Sequence, residues 1–380
     1  MTGIVDIAIV GGGIGGMCAA IQLKKQGKNV TIIELKDTLK PIGAGITLSA
    51  ATLRAFKQIG IVDDLFKIAC GFSQFDLYTS EGIKIAETPV KPAIGAEDLP
   101  ATNMGIMRTA LAEVLEKHIR ELGVNVMLSS TVSELTNQSE GVTVKLSNGE
   151  EQHFDLLIGA DGIHSKIRSL ILPNFAGTTF THQGAWRIVT SRCFDNFSML
   201  IGKTLKASFS PMNETQCYMC VLDHREHDDF IDQSLWPEKL SALLSEFGSV
   251  VNDIKQNIDN GTITANDILY RPLHTLLLED DWYKDRVVLI GDSVHSTTPH
   301  LASGAGLAIE GALILSEELD KDQSVEDALR HYQERHFERA KMVISISTRL
   351  GEIEMNNGSP LEHRELATMA LEKLTQPLSA

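Results

Sequence analysis

The chain has 380 residues, 43% hydrophobic and 22% charged, with 50 Asp and Glu against 34 Lys and Arg for a formal charge of −16. That length can bury a large core and predicts two domains with interleaved segments. Such an acidic surface repels phosphate backbones and anionic head groups, and no apolar stretch approaches the roughly 20 residues that cross a bilayer, so neither nucleic acid nor membrane is an expected partner.

An apolar run, Ile4 to Val10, leads into Gly11-Gly12-Gly13-Ile14-Gly15-Gly16, and Met17 to Leu23 follows with small and apolar residues at helical spacing. This predicts strand, glycine turn and helix. Gly11 makes the turn, Gly13 lets backbone approach a pyrophosphate, and Gly16 lets helix and strand pack closely. The helix N-terminus offers free N–H groups and the positive end of its dipole. A second strand, Asn29 to Ile33, ends in Glu34, whose side chain can accept hydrogen bonds from an adenosine ribose. These features predict a bound dinucleotide and leave NAD and FAD both open.

Pro41 to Leu48 is punctuated by glycines: it either presses backbone against a flat ligand or is a plain loop before the helix Ala50 to Ile59. Alternation from Gly71 to Ala86 predicts strands turning at Ser80-Glu81-Gly82, and the proline-rich stretch Pro89 to Pro100 predicts a loop. A helix, Thr109 to Leu122, follows directly on Arg108, and Val124 to Phe154 reads as three short strands with a hairpin turn at Ser147-Asn148-Gly149-Glu150. A buried strand, Phe154 to Ile158, then runs into Gly159-Ala160-Asp161-Gly162-Ile163-His164-Ser165-Lys166-Ile167-Arg168, a second glycine turn that opens a helix.

Between about 176 and 275 the texture changes to strands with aromatic content (Phe180 to Arg192, Leu205 to Met212, Thr215 to Leu222) and a helix around Trp236 to Phe247, which predicts an inserted sheet-rich domain. Asp285 to Ile290 restores the buried-strand style and ends at Gly291-Asp292; helical pattern follows from Gly304 to Leu319 and from Val325 to about Met355, with a short helix in the tail past Asn356. The expected division is 1–70, 101–175 and 276–345 for the nucleotide-binding domain, 71–100 and 176–275 for the second domain, and 346–380 for a helical tail.

Five cysteines, an odd number without framework spacing, and the absence of a basic-then-apolar leader fit a cytoplasmic protein. Cys217 and Cys220 form a CxxC, but on a strand they point to opposite faces, and no second ligand pair accompanies them, so they read as structural. His224 and His227, among Asp223, Arg225, Glu226, Asp228 and Asp229, read as a solvated loop; no metal is expected.

Three strand ends, at Gly11, Asp161-Gly162 and Gly291-Asp292, each with a helix after it, carry a resemblance. Gly11 to Gly16 matches GxGxxG, Asp161 to Arg168 matches DGxxSxxR, and Gly291 to Pro299 matches GDxxHxxxP. In this order the motifs resemble the class A FAD-dependent aromatic monooxygenases typified by p-hydroxybenzoate hydroxylase, from residue 4 to about 345. Within that family, Pro41 to Leu48, Gly184 to Val189 and Thr298 to Leu301 look most like the branch of salicylate, hydroxynicotinate, urate and alkylquinolone hydroxylases. The implied fold is α/β, a Rossmann-like FAD-binding domain of glutathione reductase type with an interleaved sheet-rich substrate domain and C-terminal helices.

The resemblance implies FAD as cofactor, NADH or NADPH as a transient electron donor, and oxygen transfer from a flavin C4a-hydroperoxide to a small aromatic or N-heteroaromatic ring, in a monomer or homodimer. Its alternatives are a reductase or quinone-pathway hydroxylase of the same fold, or a non-catalytic flavin-binding protein. It implies FAD contacts from Gly11, Gly13, Ile14, Gly15, Gly16, Glu34, Leu35, Lys36, Gly45, Ile46, Arg108, Asp161, Gly162, Gly291 and Asp292. Arg108 lies near the pyrophosphate and ribose, Asp161 serves FAD and the nicotinamide cofactor, and Asp292 accepts from the ribityl chain; a helix cap is the alternative for each acid. Gly304, Ala305, Gly306 and Leu307 start a helix whose N–H groups face the flavin pyrimidine edge. The chain departs from many relatives in having Leu307 or Ala308 where they carry asparagine, Gly311 after Glu310 where they carry aspartate, and Gly43 where some carry arginine.

Thr47, Pro299 and His300 are implied beside the reactive edge of the flavin, His300 with the reference pKa of a base, about 6.5; His295 is expected to brace the Asp292 turn. Strand parity puts Trp186, Ile188 and Thr190 on one face, Arg187 and Val189 on the other, and Gln216, Tyr218 and Cys220 together on the neighbouring strand. Arg187 is thus a candidate for a substrate carboxylate or carbonyl and Tyr218 for stacking or a phenol hydrogen bond, against a surface ion pair and a core tyrosine.

Overall fold

The computed structural model describes residues 3–41 and 43–378. Its centre is a six-stranded sheet in the order Tyr283–Lys284, Val287–Leu289, Leu156–Gly159, Asp6–Val10, Asn29–Ile33, Asn125–Met127, parallel except for the first pair. Ile7, Ala8, Ile9 and Val10 are all buried, as are Leu156, Leu157 and Ile158, so both faces of these strands are covered, which is why their sequences run apolar without alternation. The helices Ile14–Lys25, Arg108–Glu121 and Gly304–Asp320 and an antiparallel sheet (Val132–Gln138, Gly141–Leu146, Glu151–Phe154) share this core.

Register positions the site. Val10 pairs with both Gly159 and Ile33, and Gly159 pairs with Leu289. The three glycine turns therefore leave the sheet side by side at its carboxyl edge, where ligands of such sheets bind.

The inserted region forms most of an eight-stranded sheet in the order His295–Ser296, Ile268–Leu277, Thr179–Ser191, Gln216–His224, Lys206–Pro211, Phe197–Ile201, Gln74–Thr79, Lys84–Pro89. One face carries Trp186, Ile188, Phe209, Met219 and Val221, which pack on the helices Trp236–Leu244 and Ser249–Asp259; the second of these helices was not anticipated. The other face carries Ala185, Arg187, Val189, Tyr218 and Cys220, as strand parity requires. A small sheet of Gly45–Leu48, Asn103–Met107 and Cys70–Phe72 lies against that second face. Pro41 to Leu48 therefore ends in a strand rather than remaining a loop.

The tail is a full helix, Pro360–Thr375, packed through Ala370 and Leu374 on Ala51, Leu301, Leu307 and Leu350. Its last carbonyls are capped from outside. Arg54 donates to the oxygens of Thr375 (3.0 Å) and Gln376 (2.6 Å), and Arg339 to that of Leu374 (2.7 Å). Buried Glu310 holds both guanidinium groups, at 2.9 Å from Arg54 and 2.7 Å from Arg339.

Candidate active site

The opening turn is shaped by close approach. Gly11 has φ +109°, and a Cβ there would lie 2.3 Å from the Ala160 oxygen; at Gly13 nothing stands within 4 Å, so that backbone faces open space. A Cβ on Gly16 would strike the Gly11 oxygen, and one on Gly15 would reach Ala308 of the helix Gly304–Asp320 at 3.3 Å, so these two glycines serve packing. No side chain caps the helix at Gly13 and its first turn holds no acid, which leaves donors and dipole available to an anion. The Glu34 carboxylate accepts from Gly12 N (2.7 Å) and Lys36 N (2.9 Å), which fixes its direction, with Leu35 and Lys36 exposed beside it.

The second and third turns are tied together. Asp161 accepts from Lys166 N (2.7 Å), Ile167 N (3.1 Å) and the hydroxyls of Ser165 (2.5 Å) and Ser293 (3.3 Å). Gly162 N donates to Ser293 Oγ (3.2 Å), and Arg168 donates to the oxygens of Ser293 (2.9 Å) and Ile163 (2.7 Å). The carboxylate of Asp161 is thus spent as a helix cap and bracket; the cap alternative is the one the geometry supports. His295 braces the same turn: its Nε2 meets His336 Nε2 at 3.2 Å, and both rings lie against Trp282. Burial pushes His295 down to about 4 and also holds His336 well below its usual pKa, so both are neutral near pH 7.

Two charged side chains at these ends are not spent. Asp292 is solvent-accessible yet surrounded by protein; burial pushes its carboxyl upward, Arg108 partly opposing, and it has no hydrogen bond among the described residues. Arg108, at the first position of Arg108–Glu121, is deeply enclosed, with burial and then Arg187 depressing its charge, and it too has no hydrogen-bond or ion-pair partner among the described residues. A Cβ on Gly43 would come within 3.2 Å of the Arg108 Cδ, so the glycine at this departure from the family makes room for Arg108. A carboxylate acceptor and a guanidinium donor left unpaired at the carboxyl edge fit the hydroxyls and phosphates of a dinucleotide such as FAD.

The far end of the cleft lies under the inserted sheet. A Cβ on Gly45 would meet Met212 Sδ at 2.3 Å and Tyr218 Cβ at 2.6 Å, and one on Gly105 would strike the Pro211 oxygen, so the two sheets touch at glycines. Thr47 lies on the same short strand, opposite Gly105; Ile46 turns toward the main core. Arg187 Nε donates to the Tyr218 hydroxyl (3.1 Å), and its two terminal nitrogens have no partner among the described residues. Burial opposes the charge of Arg187, but Tyr218 and Cys220 more than offset it; burial also raises the Tyr218 hydroxyl pKa, keeping it a neutral donor. The helix Gly304–Asp320 starts without a side-chain cap or early acid, so the N–H groups of Gly304 and Ala305 are available.

Three expectations change here. Leu307 is buried among Leu301 and Leu350 and its N–H already donates to Ser303 (2.9 Å), while a Cβ on Gly306 would meet Thr52, so both are packing positions. The His300 side chain is only 3% exposed: Nδ1 meets Thr298 Oγ1 (2.8 Å) and Nε2 faces Glu354 Oε2 at 3.3 Å, so no ring nitrogen is offered to a substrate. Glu354 also holds Lys206 (2.7 Å) and His363 (2.8 Å). Burial would raise the Glu354 carboxyl, but His300, His363 and Lys206 hold it well below the usual range. His300 therefore anchors the turn Pro299–Leu301 to the helix Val325–Met355. Gln183, buried on the Arg187 face with its carboxamide near His300, was missed, as was Glu354; no local motif marks either.

Fold and site together define a class A flavin monooxygenase of hydroxylase type. The chain belongs to the FAD-binding domain family, whose model matches residues 4–347. It is 28% identical over 351 residues to the aurachin C monooxygenase/isomerase of Stigmatella aurantiaca, covering 91% of this chain and 89% of that protein. It is 26% identical over 317 residues to the 2-heptyl-3-hydroxy-4(1H)-quinolone synthase of Pseudomonas aeruginosa (strain UCBPP-PA14), covering 82% and 79%. The crystal structure of Klebsiella pneumoniae HpxO with FAD and uric acid superposes with a TM-score of 0.85 at 20% identity, over 100% of this chain and 99% of that one. Among the described residues no helix is long and apolar enough to cross a membrane, and no cluster is placed to hold a metal ion.

Proposed function

We propose that this monooxygenase hydroxylates a small aromatic or N-heteroaromatic compound carrying an anionic or carbonyl oxygen, with NADH or NADPH as electron donor. The observation that carries this reading is the enclosed Arg187 guanidinium, steered by Tyr218 and with two free terminal nitrogens on the sheet face above the cleft. The quinolone synthase and the uric-acid complex among its relatives concern N-heterocycles bearing ring carbonyls, which supports the same class.

FAD, when bound, supplies the two-electron and oxygen-activating chemistry. The overall balance is ring C–H, O2, NAD(P)H and a proton to ring C–OH, water and NAD(P)+. The residues of this chain bind, orient and exclude water. Asp292 would hold FAD as an acceptor for a ribityl hydroxyl, and Arg108 as a donor toward its phosphate and ribose region. The first N–H groups of Gly304–Asp320, free of a side-chain cap, would supply donors and a positive dipole end to an electron-rich part of the bound flavin. Arg187 and the Tyr218 hydroxyl bind the substrate oxygen, fixing which ring carbon faces the cofactor, and the Gly45 and Gly105 contacts close the site against water.

The test is NADH and NADPH oxidation by the FAD-loaded enzyme over salicylates, hydroxypyridines, purines and quinolones, with mass analysis for one added oxygen. A ring that accelerates oxidation and gains oxygen supports the reading; no acceleration across the panel overturns it. With a true substrate, Arg187→Ala should raise KM about tenfold to a hundredfold, the worth of charge-assisted hydrogen bonds, with FAD affinity little changed. An unchanged KM would remove Arg187 from the site.

A further inference from the structure

The last turn of the helix Val325–Met355 is wedged between the inserted sheet and the turn Pro299–Leu301. Gly351 and Glu354 stand three residues apart and so share one helix face. On one side they meet the sheet. A Cβ on Gly351 would lie 2.5 Å from Gln183 Oε1, and Glu354 Oε1 binds Lys206 Nζ at 2.7 Å. Gln183 belongs to Thr179–Ser191 and Lys206 to Lys206–Pro211, and strand parity places both on the face that carries Arg187 and Tyr218.

On the other side they meet the turn. The same Cβ would lie 3.1 Å from His300 Cε1, and Glu354 Oε2 faces His300 Nε2 at 3.3 Å. One carboxylate thus reaches both walls, and one missing Cβ lets the helix fit between them. The third partner of Glu354 is of another kind: His363 of Pro360–Thr375 binds Oε1 at 2.8 Å and ties the helix to the tail, not to either wall. Spacing of this sort matters to chemistry, because a misplacement of about 1 Å costs roughly a hundredfold in rate.

We propose that Glu354 and Gly351 set the gap between the Arg187 face of the inserted sheet and the turn Pro299–Leu301, which makes Glu354 a positioning residue for the bound ring and cofactor. The inference rests on the reading of that face as the substrate's and of that turn as the flavin's neighbour. Glu354 touches neither ligand; it acts through Lys206 on one wall and His300 on the other. Loss of the Lys206 arm, or an added Cβ at position 351, lets the gap widen and admits solvent to the cofactor.

The experiment reads that access directly, by acrylamide quenching of flavin fluorescence in FAD-loaded protein with no ring compound and no NAD(P)H present. Acrylamide is neutral, so a change of charge at the site does not alter its local concentration. Glu354→Gln and Lys206→Met, the latter chosen because that side chain is partly exposed and safe for folding, should each raise the quenching constant by about twofold or more. Gly351→Ala should do the same while its melting temperature holds or rises, since alanine is the better helix former. Adding Gln183→Ala, which removes the side chain that the new methyl strikes, should bring quenching back toward wild type. His363→Gln, which cuts only the arm to the tail, should quench as wild type. Unchanged quenching in Lys206→Met or Gly351→Ala, no recovery with Gln183→Ala, or an equal rise in His363→Gln would each overturn the proposal. No substrate enters this measurement, so a ring panel that fails overturns the hydroxylase reading separately from the quenching result.

Discussion

Asp292 after the parallel strand Val287–Leu289 and Arg108 after the antiparallel strand Asn103–Met107 have no side-chain partner among the described residues, while other acids around them are occupied. Glu34 and Asp161 accept from backbone N–H groups, but Asp292 accepts from nothing among the described residues, and burial raises its pKa. A group bound there would have to be a donor, and on the proposed role removing the carboxylate costs the complex rather than the fold. Asp292→Ala should weaken FAD binding by at least tenfold, about 1.5–3 kcal/mol, with the apoprotein melting temperature held within a few degrees. FAD titration by flavin fluorescence quenching checks this, and full retention of affinity would sink the ribityl role. The buried histidine pair sets a pH limit. His295 has an ordinary pKa of 6.5 when unfolded and about 4 when folded, so between these values the unfolded chain binds a proton that the folded chain refuses. Stability contributed by neutral His295 is full above about pH 6.5 and falls as pH drops, by up to about 1.4 kcal/mol per pH unit, with His336 acting in the same direction. Melting curves from pH 7 to 5 should show this decline, and His295→Asn should flatten it. Asp161 and Asp292 look alike in the sequence because a cap and a ligand contact call for the same residue type; only the neighbours at Ser165, Lys166 and Ser293 tell them apart. His300 had the composition of a base, and its partner Glu354, far along the chain, turns it into an anchor.

Between elements, the decisive contacts are those where two sheets meet at glycines. The strand Gly45–Leu48 can lie under Tyr218 and Met212 only because position 45 lacks a Cβ. Gly45→Val should force the sheets apart at the substrate end and lower kcat/KM by about a hundredfold, with FAD binding affected less; comparable kcat/KM would mean that the contact does not shape the site. The strand was foreshadowed by glycine spacing, but a segment so short gives no alternation to separate it from a loop. Parity within Thr179–Ser191 was readable, because a half-buried strand must alternate and its two faces are chemically different here, tryptophan and isoleucine against arginine. The helix Ser249–Asp259 was not, since Gly248 interrupts the pattern that leads into it.

At the scale of the whole molecule, the tail that carried no legible role proves to be packed on the helices Val325–Met355 and Ala50–Ile59 and the turn Pro299–Leu301. Arg54 from Ala50–Ile59 and Arg339 from Val325–Met355 converge on Glu310 and close the last carbonyls of Pro360–Thr375. Such a network leaves no sequence signature, because its members come from four separated helices. Glu310→Ala would strand two guanidinium groups in the interior, and loss of one partner of a buried ion pair costs about 3–5 kcal/mol. The expected result is a melting temperature lowered by several degrees and earlier proteolysis within the last helix, read by limited digestion; an unchanged melting temperature would show that the arginines find other partners.

The cross-ties among Asp161, Gly162, Arg168 and Ser293 have a kinetic meaning. They are bonds between groups of the protein itself, so the entropy of ordering two of the three turns is lost during folding and not on encounter with the cofactor. A preorganised cradle of this kind takes up its ligand without local refolding, and FAD should load at a rate set by diffusion into the cleft and release reversibly. In such a molecule the flavin is a guest of a finished building rather than one of its beams.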